Sequence, residues 1–367
     1  MTDPTDDCAP STPLLFSSRP LAQAYDVALL DLDGVCFAGE ARIPHAAEGA
    51  NGARALGMGL SFITNNASRA PQTVVDKLAA NDIEAFAREV FTAAMDAAAL
   101  LRERLDPGAR VLVVGGDGVR RALEDEGFTV VDGADQDPAA VVQGWDPAVD
   151  WAMMSEGAYA IRAGAIHVAT NTDATLPTER GFALGNGSLV AAVANATGRD
   201  YLAAGKPFPD IYRRALARAG GERPLAVGDR LNTDHVGARA AGIAGLHVLT
   251  GVSSARDVLL AAPEERPTFL HTDLRGLLEP HPRVTRVDGD EGHWWRAGSC
   301  RARVVGTALE WEEDGVRRRA QSGRRADVAL DAYRALACAV WESLDAGIAP
   351  EAVSYTHLRA HETDSYL

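Results

Sequence analysis

The sequence has almost no lysine: only Lys77 and Lys206 stand beside 34 arginines in 367 residues. That bias suits a GC-rich genome, and it makes each lysine informative, because arginine supplies the cation nearly everywhere else. Cysteine is scarce too. Cys8, Cys36, Cys300 and Cys338 are scattered with no C-x-x-C pair, which fits free thiols in a reducing compartment and excludes a disulfide framework or a cysteine zinc site. No apolar run approaches the roughly 18 residues that a membrane span needs, and the opening MTDPTDDCAPSTPLLF is acidic where a secretory signal would be basic. A cytoplasmic protein with no membrane partner is expected. Excess positive charge is also lacking. The net charge of -15 argues against a nucleic-acid partner and otherwise reads as a solvated surface.

Hydrophobic residues make up 47% of the chain, ample for two or three packed units. Past a leader that reads as disordered to about Pro20, short apolar runs alternate with Ala-rich helical stretches, the pattern of a parallel sheet faced by helices. The fold class is therefore α/β. Strands are predicted at 27–30, 60–63, 111–114, 140–143, 166–169, 225–228 and 246–249. Helices are predicted at 44–57, 71–81, 92–104, 118–126, 155–163, 188–197, 209–219 and 234–242. The interval from Thr64 to Lys206 is far too long for one crossover connection and reads as an inserted domain. From about 283 the texture changes to VTRVDGDEGHWWRAGSCRARVVGTALEW, strand-like and rich in tryptophan, followed by one amphipathic helix. This is a third, small module. Its basic run from Val316 to Arg325 is read as a solvated face.

Four strand exits carry polar residues of an unusual kind. After Val27-Ala-Leu-Leu30 come Asp31 and Asp33, two apart, so that on an extended chain both address one space at the carboxyl edge of the sheet, where open α/β folds bind ligands. A lone Asp there would be a turn former. Phe62-Ile-Thr64-Asn65-Asn66 ends a strand in a hydroxyl and two amides, donors suited to phosphate oxygens and equally to turns. Ala204-Gly-Lys206-Pro207 places one of the two lysines before a proline, which keeps it out of helical geometry. Leu225-Ala-Val-Gly228-Asp229 discharges into acids again; Asp229 suits a hard cation, and Asp234 is either an orienting group or a helix cap.

The order acid-x-acid, Thr, Lys, acid-x4-acid resembles the haloacid dehalogenase superfamily of phosphohydrolases, with DLDGV, FITNN, GKP and GDRLNTD matching its four motifs over about 21–280. The resemblance implies a Rossmann-like core from 21–84 and 199–280, an inserted α/β cap at 85–198 and a C-terminal α+β module at 283–352. A cap between the second and third motifs is similar to the branch holding nucleotide, glycolate and glycerol-phosphate phosphatases. Asp31 is then the nucleophile and Asp33 the general acid and base. Asp31, the Asp33 carbonyl and Asp229 hold Mg2+. Thr64, Asn65 and Lys206 bind the phosphoryl group, with Asp234 and Asn66 supporting from behind. The implied reaction is hydrolysis of a small phosphorylated metabolite through an aspartyl-phosphate. The layout is most similar to the actinobacterial glycerol-3-phosphate phosphatases, so glycerol 3-phosphate is the expected substrate; nucleotides, sugar phosphates and phosphoglycolate are the alternatives. A phosphotransferase and a non-catalytic phospho-ligand sensor are the other classes, and association of copies through the cap is left open.

Within the cap, Asn171 and Asp173 follow an apolar strand and are expected either to contact the leaving group or to form a turn. Val111-Leu-Val-Val-Gly-Gly-Asp-Gly118 looks like a dinucleotide fingerprint but has Arg121 where a small residue is needed, so it reads as a tight turn. Cys36 lies near Asp33, and a buried thiol there is expected to be inert. The C-terminal module resembles a reduced acetyltransferase domain whose acyl-CoA signature fails at Gly323, with Ala320 three residues earlier, so no acyl transfer is expected. Residues 353–367 begin as an in-frame translation of a transposase end and sequencing adapter, and carry no weight in the reading, His357 and His361 included.

Overall fold

A computed structural model describes residues 14–178, 180–289, 292–320, 325–350 and 357–361; Cys8, Gly323 and most of the leader and tail lie outside them. The chain divides into two compact units, one of residues 1–28, 33–59 and 222–367, the other of 29–32 and 60–221. The Val27–Leu30 strand contributes to both. Its four residues are all buried, as expected of a parallel strand covered on two faces.

In the first unit the strands Phe269–His271, Ala244–Val248 and Pro224–Gly228 stand in that order beside Val27–Leu30, each parallel to the next where Leu225 faces Ala244 and Leu246 faces Phe269. The leader is ordered from Leu14 onward, which corrects the expectation of disorder to Pro20. Leu14 is buried, the Leu15 N–H donates to the Thr268 carbonyl, and Ser17 and His281 exchange main-chain hydrogen bonds. An unpaired strand edge and an apolar side chain suffice to hold seven residues.

The C-terminal module belongs to the same unit. Thr285–Gly289, Gly292–Ala297, Cys300–Val305, Ala308–Glu313 and Val316–Arg319 form an antiparallel meander, packed on the helix Leu330–Asp345. Trp295, Trp311, Tyr333 and Trp341 share one core with Val258, Leu259 and Leu270. The Trp341 indole donates to the Val258 carbonyl at 2.8 Å, and Arg334 to that of Leu270 at 3.0 Å. His357–His361 pairs in parallel with Arg325–Ala329.

In the second unit Gly59–Thr64 pairs with Val90–Thr92. That short strand falls inside the expected cap boundary, yet it continues the sheet of Val27–Leu30; three residues were too few to stand out beside the helix that follows. The cap has its own parallel sheet, ordered Leu202–Ala203, Ile166–Ala169, Ala140–Gln143, Arg110–Val114 and Thr129–Val131. Leu202–Ala203 lies past the expected cap end at 198 and still belongs to this sheet. The helix expected from 155 begins earlier, at Trp151, where the Asp150 side chain caps it, whereas two others begin as expected. Pro71–Ala80 and Pro209–Ala219 each start on a proline, which loses nothing at a position whose N–H has no helical partner.

Candidate active site

Asp31 follows the shared strand directly, and its carboxylate meets Lys206, whose Nζ lies 2.5 Å from Oδ1. The lysine side chain is 4% exposed and that of Asp31 11%. An ammonium so deeply placed is stabilised by a carboxylate at contact distance. Asp33, two residues on, is exposed. The two acids therefore sit in different surroundings, one held and one at the surface.

Beyond Asp33 the chain turns at Gly34, with φ +91°, and a Cβ there would stand 2.5 Å from the Asp229 Cγ. Asp229 follows the Pro224–Gly228 strand and is fully buried. Its Oδ2 accepts the Val252 N–H at 2.6 Å, and its carbonyl accepts that of Ser253 at 3.1 Å. A Cβ on Gly251 would fall 1.9 Å from the same Oδ2. Thr250 completes the wrapping by donating its hydroxyl to the Gly34 carbonyl at 2.6 Å. A carboxylate cradled by two glycines, approachable because both lack Cβ atoms, offers the hard oxygen ligand that Mg2+ takes. The donor set thus fits Mg2+.

Asp234 lies inside a wide turn, Leu231–His235, ahead of the helix Val236–Ala240. Its Oδ2 accepts the Arg230 N–H at 3.0 Å, so it closes the loop after Asp229 and is not the cap of that helix. His235 and His247 are hydrogen-bonded to each other at 3.1 Å, and His247 reaches the Ser253 carbonyl at 3.1 Å. Burial, then the neighbouring His235, holds the His247 imidazole well below its usual range.

Thr64 ends its strand with a buried hydroxyl that accepts the Asn66 N–H at 3.1 Å. Asn66 is turned to Ser68, accepting from its N–H at 3.0 Å and its hydroxyl at 2.8 Å, and so acts as a turn former. The Asn65 carboxamide is turned to the Lys206 main chain. Its Oδ1 accepts the Lys206 N–H at 2.7 Å, while Nδ2 donates to the Lys206 carbonyl at 3.0 Å and to Asp173 at 3.1 Å. The carboxamide grips the lysine main chain, leaving the phosphate-ligand expectation to the backbone N–H. Asn171, nearly buried, donates to the Asn65 carbonyl at 2.9 Å and accepts the Asp173 N–H. Both cap residues therefore frame Asn65, and both also shape a turn.

Sequence reading missed Asp96. It sits fully buried on the helix Ala93–Arg102, accepts the Gly205 N–H at 2.8 Å and pairs with Arg214 at 2.6 Å. Burial raises its carboxyl above the ordinary range, against the pull of the Gly205 N–H and Arg214. The signal was present in the run Ala-Ala-Met-Asp96-Ala-Ala-Ala: a single acid in an apolar helix needs a partner. The loop Thr250–Ser253 was missed because glycine and serine there read as ordinary turn chemistry. Cys36 is fully buried.

Comparison with known proteins agrees with this geometry. A family profile described as haloacid dehalogenase-like hydrolase matches residues 28–129, and one described as HAD-hydrolase-like matches 203–277. The chain is 40% identical over 329 residues to the D-glycerol 3-phosphate phosphatase of Mycobacterium tuberculosis, covering 89% of this chain and 88% of that protein. It is 36% identical to a 5'-nucleotidase of Bacillus subtilis, over 67% of this chain and 94% of that one. A crystal structure of the mycobacterial glycerol phosphate phosphatase in complex with magnesium aligns with TM-score 0.76 at 40% identity, over 88% of this chain and 92% of that one. Motifs, strand exits and relatives converge: the chain belongs to the haloacid dehalogenase-like hydrolases.

Proposed function

We propose that this chain is a Mg2+-dependent phosphomonoester phosphatase with Asp31 as its nucleophile. The observation that carries the reading is the Lys206 ammonium on the Asp31 carboxylate, a cation placed where a phosphate dianion and a carboxylate must meet. An Asp31 oxygen attacks phosphorus while the bond to the ester oxygen breaks and Asp33 protonates the departing alcohol. Asp33, now ionised, takes a proton from water as it attacks the aspartyl-phosphate, which releases phosphate and restores Asp31. Thr64 Oγ1, the Asn65 N–H and Lys206 Nζ hold the phosphoryl oxygens. Asp31, the Asp33 carbonyl and Asp229 would hold Mg2+, which when bound offsets the negative charge of the two reacting anions. Asp234 keeps the loop after Asp229 in place.

The substrate favoured is glycerol 3-phosphate, on the strength of 40% identity extending over 89% of the chain to a protein named for that activity. The organisation proposed is a core of 21–84 and 199–280 to which Val90–Thr92 is added and from which Leu202–Ala203 is taken, a cap made of the rest of 85–198 with Leu202–Ala203, and a module of 283–352, in a cytoplasmic enzyme. Among the described residues no helix is long and apolar enough to cross a membrane. The test is phosphate release from glycerol 3-phosphate, nucleoside monophosphates, sugar phosphates and phosphoglycolate, with Mg2+ and with EDTA. Turnover that survives EDTA, or that persists in Asp31→Asn, removes this mechanism.

A further inference from the structure

The loop that presents Lys206 runs from the strand Leu202–Ala203 to the helix Pro209–Ala219, contains Pro207 and meets Pro209 at the helix start. Prolines have no N–H, so such a loop has few main-chain donors with which to tie itself down. Three of its polar main-chain groups are instead met by side chains. Asp96 accepts from the Gly205 N–H, and Asn65 takes both the N–H and the carbonyl of Lys206. Gly205 has φ +77°, and a Cβ on it would lie 2.7 Å from the Thr170 carbonyl and 2.9 Å from Asn65 Oδ1, so the grip is close. Asn65 is itself held by Asp173 and Asn171, and Asp96 by Arg214, which Glu103 also pairs at 2.7 Å.

We infer that Asn65 and Asp96 are positioning residues for Lys206: they clamp the main chain on either side of the Gly205–Lys206 peptide so that the ammonium stays on Asp31. The inference rests on the proposed phosphatase reading for its kinetic consequence, though not for the clamp. A side chain on a flexible four-carbon stem reaches one carboxylate reproducibly only if its Cα is fixed. Misplacing a reacting group by about 1 Å costs on the order of 100-fold in rate.

A double-mutant cycle on hydrolysis of p-nitrophenyl phosphate with saturating Mg2+ tests this. Asn65→Ala is expected to lower kcat/KM by about 10- to 100-fold and Lys206→Ala by on the order of 1,000-fold. Asn65→Ala/Lys206→Ala should fall within about 3-fold of Lys206→Ala alone, because a residue acting only through Lys206 has nothing left to position. Losses that multiply would overturn the inference, since they mean that Asn65 acts on substrate or fold by itself. Asp96→Asn keeps an acceptor for the Gly205 N–H and should stay within about 3-fold of the parent enzyme, whereas Asp96→Ala should not; equal damage from both assigns Asp96 to the Arg214 pair alone. If Asp96→Ala does not fold, amide exchange at Gly205 and Lys206 decides. Both amides should be protected in the parent chain and the Lys206 amide exposed in Asn65→Ala. Unchanged protection there overturns the clamp. A parent chain that hydrolyses no phosphomonoester but shows this exchange pattern ends the phosphatase reading and leaves the clamp standing.

Discussion

The cap sheet and the C-terminal sheet each have five strands, and they use their side chains in opposite ways. In the cap, Val111 to Val114 and Ala140 to Gln143 are buried without alternation, because parallel strands are covered on both faces. Polarity gathers where a strand stops, as at Thr170 and Asn171, and a buried histidine inside a strand, His167, is met by Gln143 at the end of its neighbour at 3.0 Å. In the C-terminal meander, Ala308–Glu313 alternates between half-buried and buried. Trp295 faces the helix, donating its indole N–H to Glu342 at 2.8 Å. Trp294 faces the other way and is still only 2% exposed, since Arg301, Arg303 and Arg317 lie over its ring with guanidinium carbons 4.6, 4.3 and 5.2 Å from the centroid. Arg301 and Arg303 are in turn paired with Glu312 and Glu310 at 2.7 and 2.9 Å. The basic run that could be mistaken for an anion site includes a lid on a tryptophan. Polar side chains collected at strand ends can serve chemistry, whereas those spread along alternate positions serve the sheet.

Substitutions at the two kinds of position should separate accordingly. Asp31→Asn is expected to lower kcat by at least about 1,000-fold and to lower the melting temperature modestly, because the buried Lys206 ammonium loses its carboxylate; phosphate release and calorimetry read the two effects. Gly251→Ala places a methyl on Asp229 Oδ2 and should raise the half-saturating Mg2+ concentration by about 10-fold or more, which a Mg2+ titration of activity reads. Trp294→Ala should reverse the pattern: a loss of about 3–5 kcal/mol in stability by denaturant melts, with kcat per folded molecule retained. A loss of kcat there would give the C-terminal sheet a share in the chemistry.

Acid should act on stability in the cap, through His167, and just ahead of the C-terminal sheet, through His281. Burial lowers His167 to about 4 and His281 to about 3. Unfolded, each binds its proton near pH 6.5, so between that value and the folded ones the unfolded chain holds more protons. Stability is then complete above about pH 6.5 and declines as pH falls toward 4 and 3. Melting temperatures at pH 7.5 and 5 should show the decline, and a flat profile would mean these imidazoles are charged in the native state. The smallest effect is expected from ending the chain after Ala352. This removes the strand His357–His361, which pairs with Arg325–Ala329, far along the chain from every strand exit that carries polar groups. Activity should be unchanged in the phosphate-release assay.

The strands behind Asp31, Thr64 and Asp229 were legible because each is a short apolar run cut off by polar residues, a signal contained within six or seven positions. Lys206 was legible from scarcity, standing before a proline in a chain that otherwise uses arginine. Val90–Thr92 was not, being three residues long and leading straight into a helix. Asn65 was placed at the site by its motif, but its partners are the main chain of a residue 141 positions away. Nothing near Asn65 in sequence distinguishes an amide that meets phosphate from one that holds a lysine.

By itself the sequence determined which residues carry charge at strand ends and in what order, because strand period and strand termination are local properties of the chain. Tertiary structure decided which of those groups touch. It set the Asn65 carboxamide on the Lys206 main chain, Asn171 and Asp173 around Asn65, and an acid in an alanine-rich helix on the Gly205 N–H. Hydrogen bonds act over about 3 Å and take no account of separation along the chain, so only the folded arrangement could assign them.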